Sequence, residues 1–176
     1  LDRLYRQSGL ASINNFYSRI TELLGFTANR HEGKVTGLAA YVPPSPALVA
    51  HMSARVGFRA PGFTRGSSRS AGRLDDPFWA EIARWPREEV ASAAQHVLEQ
   101  AVVPFVRHWV REVGCRNVAL GGGIFANVKL NQRIAELDCV DTLSVFPNMG
   151  DGGLAVGAAM ASSGVTPRDI GTMYLG

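Results

Sequence analysis

Three consecutive glycines, Gly121 to Gly123, stand in the stretch LGGGIFANVKLNQRI, directly after the apolar run NVAL. A helix-like pattern follows, with Asn127 and Asn131 four residues apart. Glycines in that place let a ligand approach the backbone closely, and a helix start offers free N–H groups and a positive dipole end that suit phosphate or another anion. Asn127 and Asn131, one helical turn apart, would then fix the ligand's orientation. A second glycine turn, PNMGDGG, carries Asp151. A carboxylate in such a turn has two ordinary uses: a ligand for a hard cation beside phosphate, or the N-cap of the following helix. Type and spacing alone favour the cap.

Gly121, Gly123 and Ala126 also satisfy G-x-G-x-x-A, with Asp141 about 20 residues further on, as a dinucleotide-binding fingerprint requires. That fold places its acid at the far end of the second strand, whereas Asp141 comes just before TLSVF. A nicotinamide dinucleotide-binding module is therefore an alternative, beside a plain tight turn packing helix on sheet.

Two repeats of one unit must position these turns. NVAL reads as a short buried strand, GGG as a turn and IFANVKLNQRIAELD as a helix; TLSVF, PNMGDGG and LAVGAAMASSG repeat the order. Ahead of them the pattern is helical. Asn15 to Leu24 puts Phe16, Ile20, Leu23 and Leu24 on one face, with Gly25 placed to end it. SPALVAHMSARV and DPFWAEIARW each begin with an N-cap and a proline, Ser45 with Pro46 and Asp76 with Pro77. WPREEV opens the longest helix, whose apolar set Val90, Ala94, Val97, Leu98, Ala101, Phe105, Trp109 and Val113 follows steps of three and four. Pro104 should kink it and Gly114 should close it.

At 176 residues, with 46% hydrophobic and 19% charged, the chain has the size and composition of one globular domain. No apolar run approaches the roughly 20 residues of a membrane span, and LDRLYRQSG is no signal peptide. That start, without Met, suggests a piece of a longer chain. Cys115 and Cys139 share no metal-ligand spacing, which points to a reducing, cytoplasmic setting. The net charge of +3 is uneven: Lys34, Arg55, Arg59, Arg65, Arg69 and Arg73 fall in a segment, 33–74, that has no acidic residue. Its centre, RAPGFTRGSSRSAGR, reads as a long loop, either solvated or meeting an anion. No aromatic interleaving accompanies the arginines, so nucleic acid is not an expected partner, and neither is a membrane.

LGGGIFANVKLNQRI and FPNMGDGGLAVGAA together closely resemble the carbamoyltransferase family that includes nodulation-factor and antibiotic O-carbamoyltransferases. FYSRITELLGF with HEGKVTGLAAY, and the terminal MYLG, resemble the same family in the same order. The resemblance implies an α/β chain, the C-terminal lobe of an actin and hexokinase-like ATPase fold, related to the tRNA threonylcarbamoyl-transfer protein. It implies that residues 1–176 are part of the transferase domain, without its first lobe and without the C-terminal adenylate-forming domain. Gly122, Gly123, Asn127 and Asn131 match nucleotide-binding positions, and Gly152 and Gly153 match the turn around the metal aspartate. Asp151 matches that aspartate, which with the motif around it becomes a ligand to a divalent iron or manganese type ion. Lys34, in E-G-K-x-x-G-L-A, matches a family lysine; an anion contact and a solvated position near a helix start are weighed equally for it.

The implied activity is ATP-dependent. Carbamoyl phosphate is converted to carbamoyl-adenylate, and the carbamoyl group then passes to the hydroxyl of a small-molecule or glycan acceptor. The chain departs from the family at several points. His31, His51, His96 and His108 form no H-x-x-x-H pair, and Phe125, Leu130 and Gln132 replace smaller residues or glycine. The chain alone is therefore expected to be inactive and to bind nucleotide weakly. A noncatalytic interaction domain using the Arg55 to Arg73 loop is the third alternative.

Overall fold

The computed structural model describes residues 2–9, 12–64 and 76–164. Their centre is the 27-residue helix α5 (Arg87–Val113). Glu88 and Glu89 sit in its first turn, where carboxylates complement the positive dipole end, and Gly114 closes it with a left-handed φ of 69°. The helix continues through Pro104, whose missing N–H leaves only one internal bond unmade. Val90, Ala94, Val97, Leu98 and Ala101 are buried as the spacing predicts, but the stripe does not stay inside to the end. Phe105 and Trp109 are half-buried and Val113 is exposed.

Helices α1 (Ile13–Leu23), α2 (Glu32–Leu38) and α3 (Pro46–Ser53) pack on α5. Ser12 accepts from the Asn14 N–H at 3.3 Å to start α1, Phe16 and Ile20 are fully buried, and Gly25 leaves it with a φ of 79°. α3 begins on Pro46 as expected, although Ser45 makes no side-chain capping bond. Helix α4 (Pro77–Ile82) is capped by Asp76, which accepts from the Phe78 N–H at 2.9 Å and buries Trp79 and Ile82. Asp76 also binds Arg55 through two bonds of 2.6 and 3.1 Å, and the Arg55 guanidinium lies over the Phe78 ring. Arg55 is thus committed to the packing of α4. Arg65, Arg69 and Arg73 lie outside the described residues.

The extent of one helix and a short hairpin have no counterpart in the sequence pattern. α2 is a helix despite the two glycines of EGKVTGL, held by the full burial of Val35 and by Glu32 in its first turn. The short antiparallel hairpin β1 (Phe58–Arg59) and β2 (Gly62–Phe63) lies against α5, and the Gln7 side chain bonds both main-chain groups of Phe63 at 2.9 and 2.7 Å.

The C-terminal part is α/β. Strands β3 (Asn117–Leu120) and β4 (Thr142–Val145) pair in parallel from Asn117 opposite Thr142 to Leu120 opposite Val145. Between them lie a 3₁₀ turn (Gly123–Ala126) and α6 (Val128–Ala135); α7 (Gly152–Ser163) follows β4. The expected helix from Ile124 therefore starts four residues late. Asn127 stops it there by accepting the Leu130 N–H at 3.0 Å, which makes Asn127 a cap rather than a residue on the helix face. Among the described residues no helix is long and apolar enough to cross a membrane.

Candidate functional site

Parallel pairing puts the C-terminal ends of β3 and β4 at one edge, so the two glycine turns that follow them meet. The Gly122 N–H donates to the Met149 carbonyl at 2.7 Å, tying one turn to the other. Gly122 has φ 110° and ψ 150°, a conformation open in practice to glycine alone. The second turn bends through Asn148 at φ 58°. A Cβ on Gly152 would run into the Asn148 side chain, and one on Gly153 into the Asn148 carbonyl oxygen. Gly152 and Gly153 are thus glycines because Asn148 of their own turn lies against them, and Gly122 because of its backbone conformation, whereas a Cβ on Gly123 would meet nothing within 4 Å.

A cleft of about 490 Å³ opens in front of these turns. Gly123, Ala126, Gly150 and Asp151 form one wall; Arg30, Glu32 and Gly33, at the start of α2, face them. Asp151 precedes α7 but makes no capping bond, so of its two ordinary uses the cap is not realised. Its carboxylate is exposed to the cleft. That oxygen donor is of the kind a hard divalent ion takes, and it fits as one ligand. Among the described residues no group of three or more His, Cys, Asp or Glu gathers around it or elsewhere.

The remaining predicted residues are placed as follows. Asn127 lines the cleft but is only 8% exposed, with its amide engaged inside the protein. Asn131 donates to the Phe125 carbonyl at 2.7 Å, bracing the 3₁₀ turn from behind, and does not line this cleft. Lys34 also lies away from the cleft, with its Nζ 5.6 Å from the Phe26 ring centroid. Three histidines serve packing and turns, His51 stacking on Phe78, His31 Nδ1 accepting the Thr27 N–H at 3.1 Å and His108 packing against Phe58 and Trp109, while His96 lines a separate cavity. Asp141 sits at the opposite end of the strands from the glycines, bound to Arg116 at 2.7 Å. Arg116 holds its carboxyl below the usual carboxylate range. The dinucleotide fingerprint thus lacks an acid at the ligand edge.

Residues on the far wall escaped the sequence pattern because they come from α1 and α2, distant in sequence from the glycine turns. Glu32 is the clearest: its Oε1 accepts the Asn29 N–H at 2.6 Å and the Ser18 hydroxyl at 3.3 Å, which fixes the carboxylate beside the cleft. Behind α2 lies a second cavity of about 620 Å³, which shares Gly33, Thr36 and Ala126 with the first.

Residues 4–160 match the family model described as Carbamoyltransferase N-terminus. Uncharacterized protein MJ1058 of Methanocaldococcus jannaschii is 31% identical over 170 residues, which cover 91% of this chain and 27% of that protein. Uncharacterized protein MJ1051 of the same organism is 29% identical over 170 residues, 94% of this chain and 33% of that protein. Nodulation protein NolNO of Sinorhizobium fredii is 27% identical over 161 residues, 86% of this chain and 23% of that protein. The chain spans about a quarter to a third of the length of these relatives. With the match running from the N-terminal segment through both glycine turns, the chain belongs to the carbamoyltransferase family.

Proposed function

We propose that this chain supplies one half of the nucleotide cleft of an ATP-dependent O-carbamoyltransferase, as the C-terminal lobe of an actin and hexokinase-like domain. The observation that carries it is the bond from Gly122 to Met149, which sets two glycine turns and Asp151 around one cleft. In the proposed reaction carbamoyl phosphate, water and ATP give carbamoyl-adenylate elsewhere in the longer protein, with release of phosphate and pyrophosphate. The acceptor hydroxyl oxygen then bonds to the carbamoyl carbon, the carbon–oxygen bond to AMP breaks, and the hydroxyl proton is released. The acceptor is a small molecule or glycan.

The chain's own residues bind and orient. Backbone at Gly123 and Gly150 offers an approach free of side chains, and Glu32 and Arg30 face it with one charge of each sign. Asp151 would hold one position of a divalent metal, which when bound supplies polarisation of the reacting carbonyl. Asn127 and Asn131 support the wall from inside, and Lys34 is left as a contact outside the cleft.

Asp151→Ala in the full-length protein should lower carbamate formation from carbamoyl phosphate and ATP by on the order of 100-fold, with the melting temperature little changed. Undiminished turnover would remove Asp151 from the site. Residues 1–176 alone should give no carbamate with the same substrates. Carbamoyl transfer by this chain without added partners would sink the proposal that it is half a cleft.

A further inference from the structure

A closed ring of polar side chains from four elements lies between the two cavities. Asn127 Nδ2 donates to Thr36 Oγ1 at 3.2 Å, the Thr36 and Tyr17 hydroxyls are 3.0 Å apart, and Tyr17 Oη donates to Gln95 Oε1 at 2.8 Å. Gln95 and Asn127 complete it with a reciprocal amide pair, Nδ2 to Oε1 at 2.8 Å and Nε2 to Oδ1 at 3.3 Å. Gln95 Nε2 also donates to Glu99 at 2.9 Å, and Asn127 Oδ1 accepts the Leu130 N–H at 3.0 Å.

A carboxamide has two hydrogens to give and two acceptor sites. All four are used on Gln95 and all four on Asn127. Neither amide has a hydrogen or acceptor site left for a ligand. Neither can flip, because a flip of Asn127 would set its NH₂ against the Leu130 N–H, and a flip of Gln95 would set NH₂ against NH₂. Gln95 is 6% exposed and Asn127 8%, so an unmade bond here would go uncompensated by water.

We infer that Gln95 is a positioning residue: from α5 it holds Asn127 in the one amide orientation that caps α6, and so fixes the 3₁₀ turn that carries Gly123 and Ala126 along the cleft. An isolated asparagine cap is set by its own helix; this one is also set from α1, α2 and α5. What the wall binds rests on the nucleotide proposal above, whereas the hold on Asn127 rests on the ring itself.

Gln95→Glu in the full-length protein tests it. A carboxylate at 95 has no hydrogen for Asn127 Oδ1 and stands beside Glu99. The groups facing position 95 are Tyr17 of α1, Thr36 of α2, Glu99 one turn along α5, and Arg133 of α6, which pairs with Glu99 at 3.4 Å. Glu32 of α2 acts on Tyr17 from farther off. Burial and Glu99 both favour the protonated carboxyl, which can again donate.

At neutral pH, hydrogen exchange at Leu130 should quicken roughly fivefold to tenfold, the scale of a lost cap, and ATP affinity should fall by a similar factor. Taken as the ratio of variant to wild type at each pH, which removes the pH dependence common to both, the two effects should vanish as the pH is lowered through the titration of the new carboxyl. Adding Glu99→Gln removes the neighbouring charge but returns no hydrogen to Asn127 Oδ1, so exchange at Leu130 should stay raised at neutral pH. Should the carboxylate prevent folding, Gln95→Met, uncharged and of similar length, should show the same local rise at Leu130. Unchanged exchange at Leu130, or a rise shared equally along α5, would overturn the inference and leave Gln95 an ordinary core residue. If the wild-type protein binds no ATP while Leu130 still exchanges faster in the variant, the nucleotide proposal falls and the hold on Asn127 stands.

Discussion

At the scale of single residues, Tyr17 joins the polar ring to the pH dependence of stability. Burial pushes its phenol up to about 12 from an ordinary 10.0. Below about pH 10 both folded and unfolded forms keep the proton, and the stabilisation is whole. Between about 10 and 12 only the folded form keeps it, so the unfolded chain binds fewer protons and stability falls as pH rises. The loss is on the order of 2–3 kcal/mol. Tyr17→Phe should be less stable than the wild type near neutral pH, and urea denaturation should show the gap closing across that alkaline window. A gap that stays constant would mean Tyr17 is not the buried donor described here. The ring was not read from the sequence: Gln95 lies beside the stripe of Val90, Ala94, Val97 and Leu98 that the spacing picks out, yet it is buried with them. Its partners were not legible, because Tyr17 and Asn127 reach it from 78 residues before and 32 after, and no local pattern encodes that meeting.

At the scale of elements, the two glycine turns carry the site and the sequence spoke clearly about them. Strands NVAL and TLSV, the turns between, and the small-residue helix after Asp151 stand where apolar runs and glycines put them, although NVAL, expected to be buried, buries only Leu120. The helix after the first turn was misplaced because Ile124, Phe125 and Ala126 continue an apolar helical pattern, while the Asn127 cap chose a later start. A helix start near Lys34 is borne out by α2, while its extent is not legible in EGKVTGL, because glycine disfavours helix and the stability comes from tertiary burial of Val35. Gly122 is the turn residue with least latitude. Gly122→Ala should cost about 1–3 kcal/mol in thermal unfolding through its positive φ, and should weaken ATP binding more than that loss of stability explains. Wild-type stability in Gly122→Ala would show that the turn adopts another conformation.

At the scale of the whole molecule, the interior and the cleft are organised by one helix. α5 buries Leu98 in the core one turn from Gln95 in the ring, so packing and site share a support. Leu98→Ala should destabilise by about 2–5 kcal/mol, read as a lowered melting temperature. A change within error would place the core elsewhere. α7 stands in contrast. None of its residues is buried, and Leu154 is 72% exposed, yet Asp151 stands at its head. An element without interior contacts opens at little cost in free energy, ahead of the rest of the fold. Asp151, proposed above as a metal ligand, therefore stands at the head of the one α-helix among the described residues that buries no residue, and α7 becomes a gauge of occupancy. Slower amide exchange and slower protease cleavage in 152–163 on adding nucleotide and metal, with α5 unchanged, would report a filled cleft before any turnover is measured.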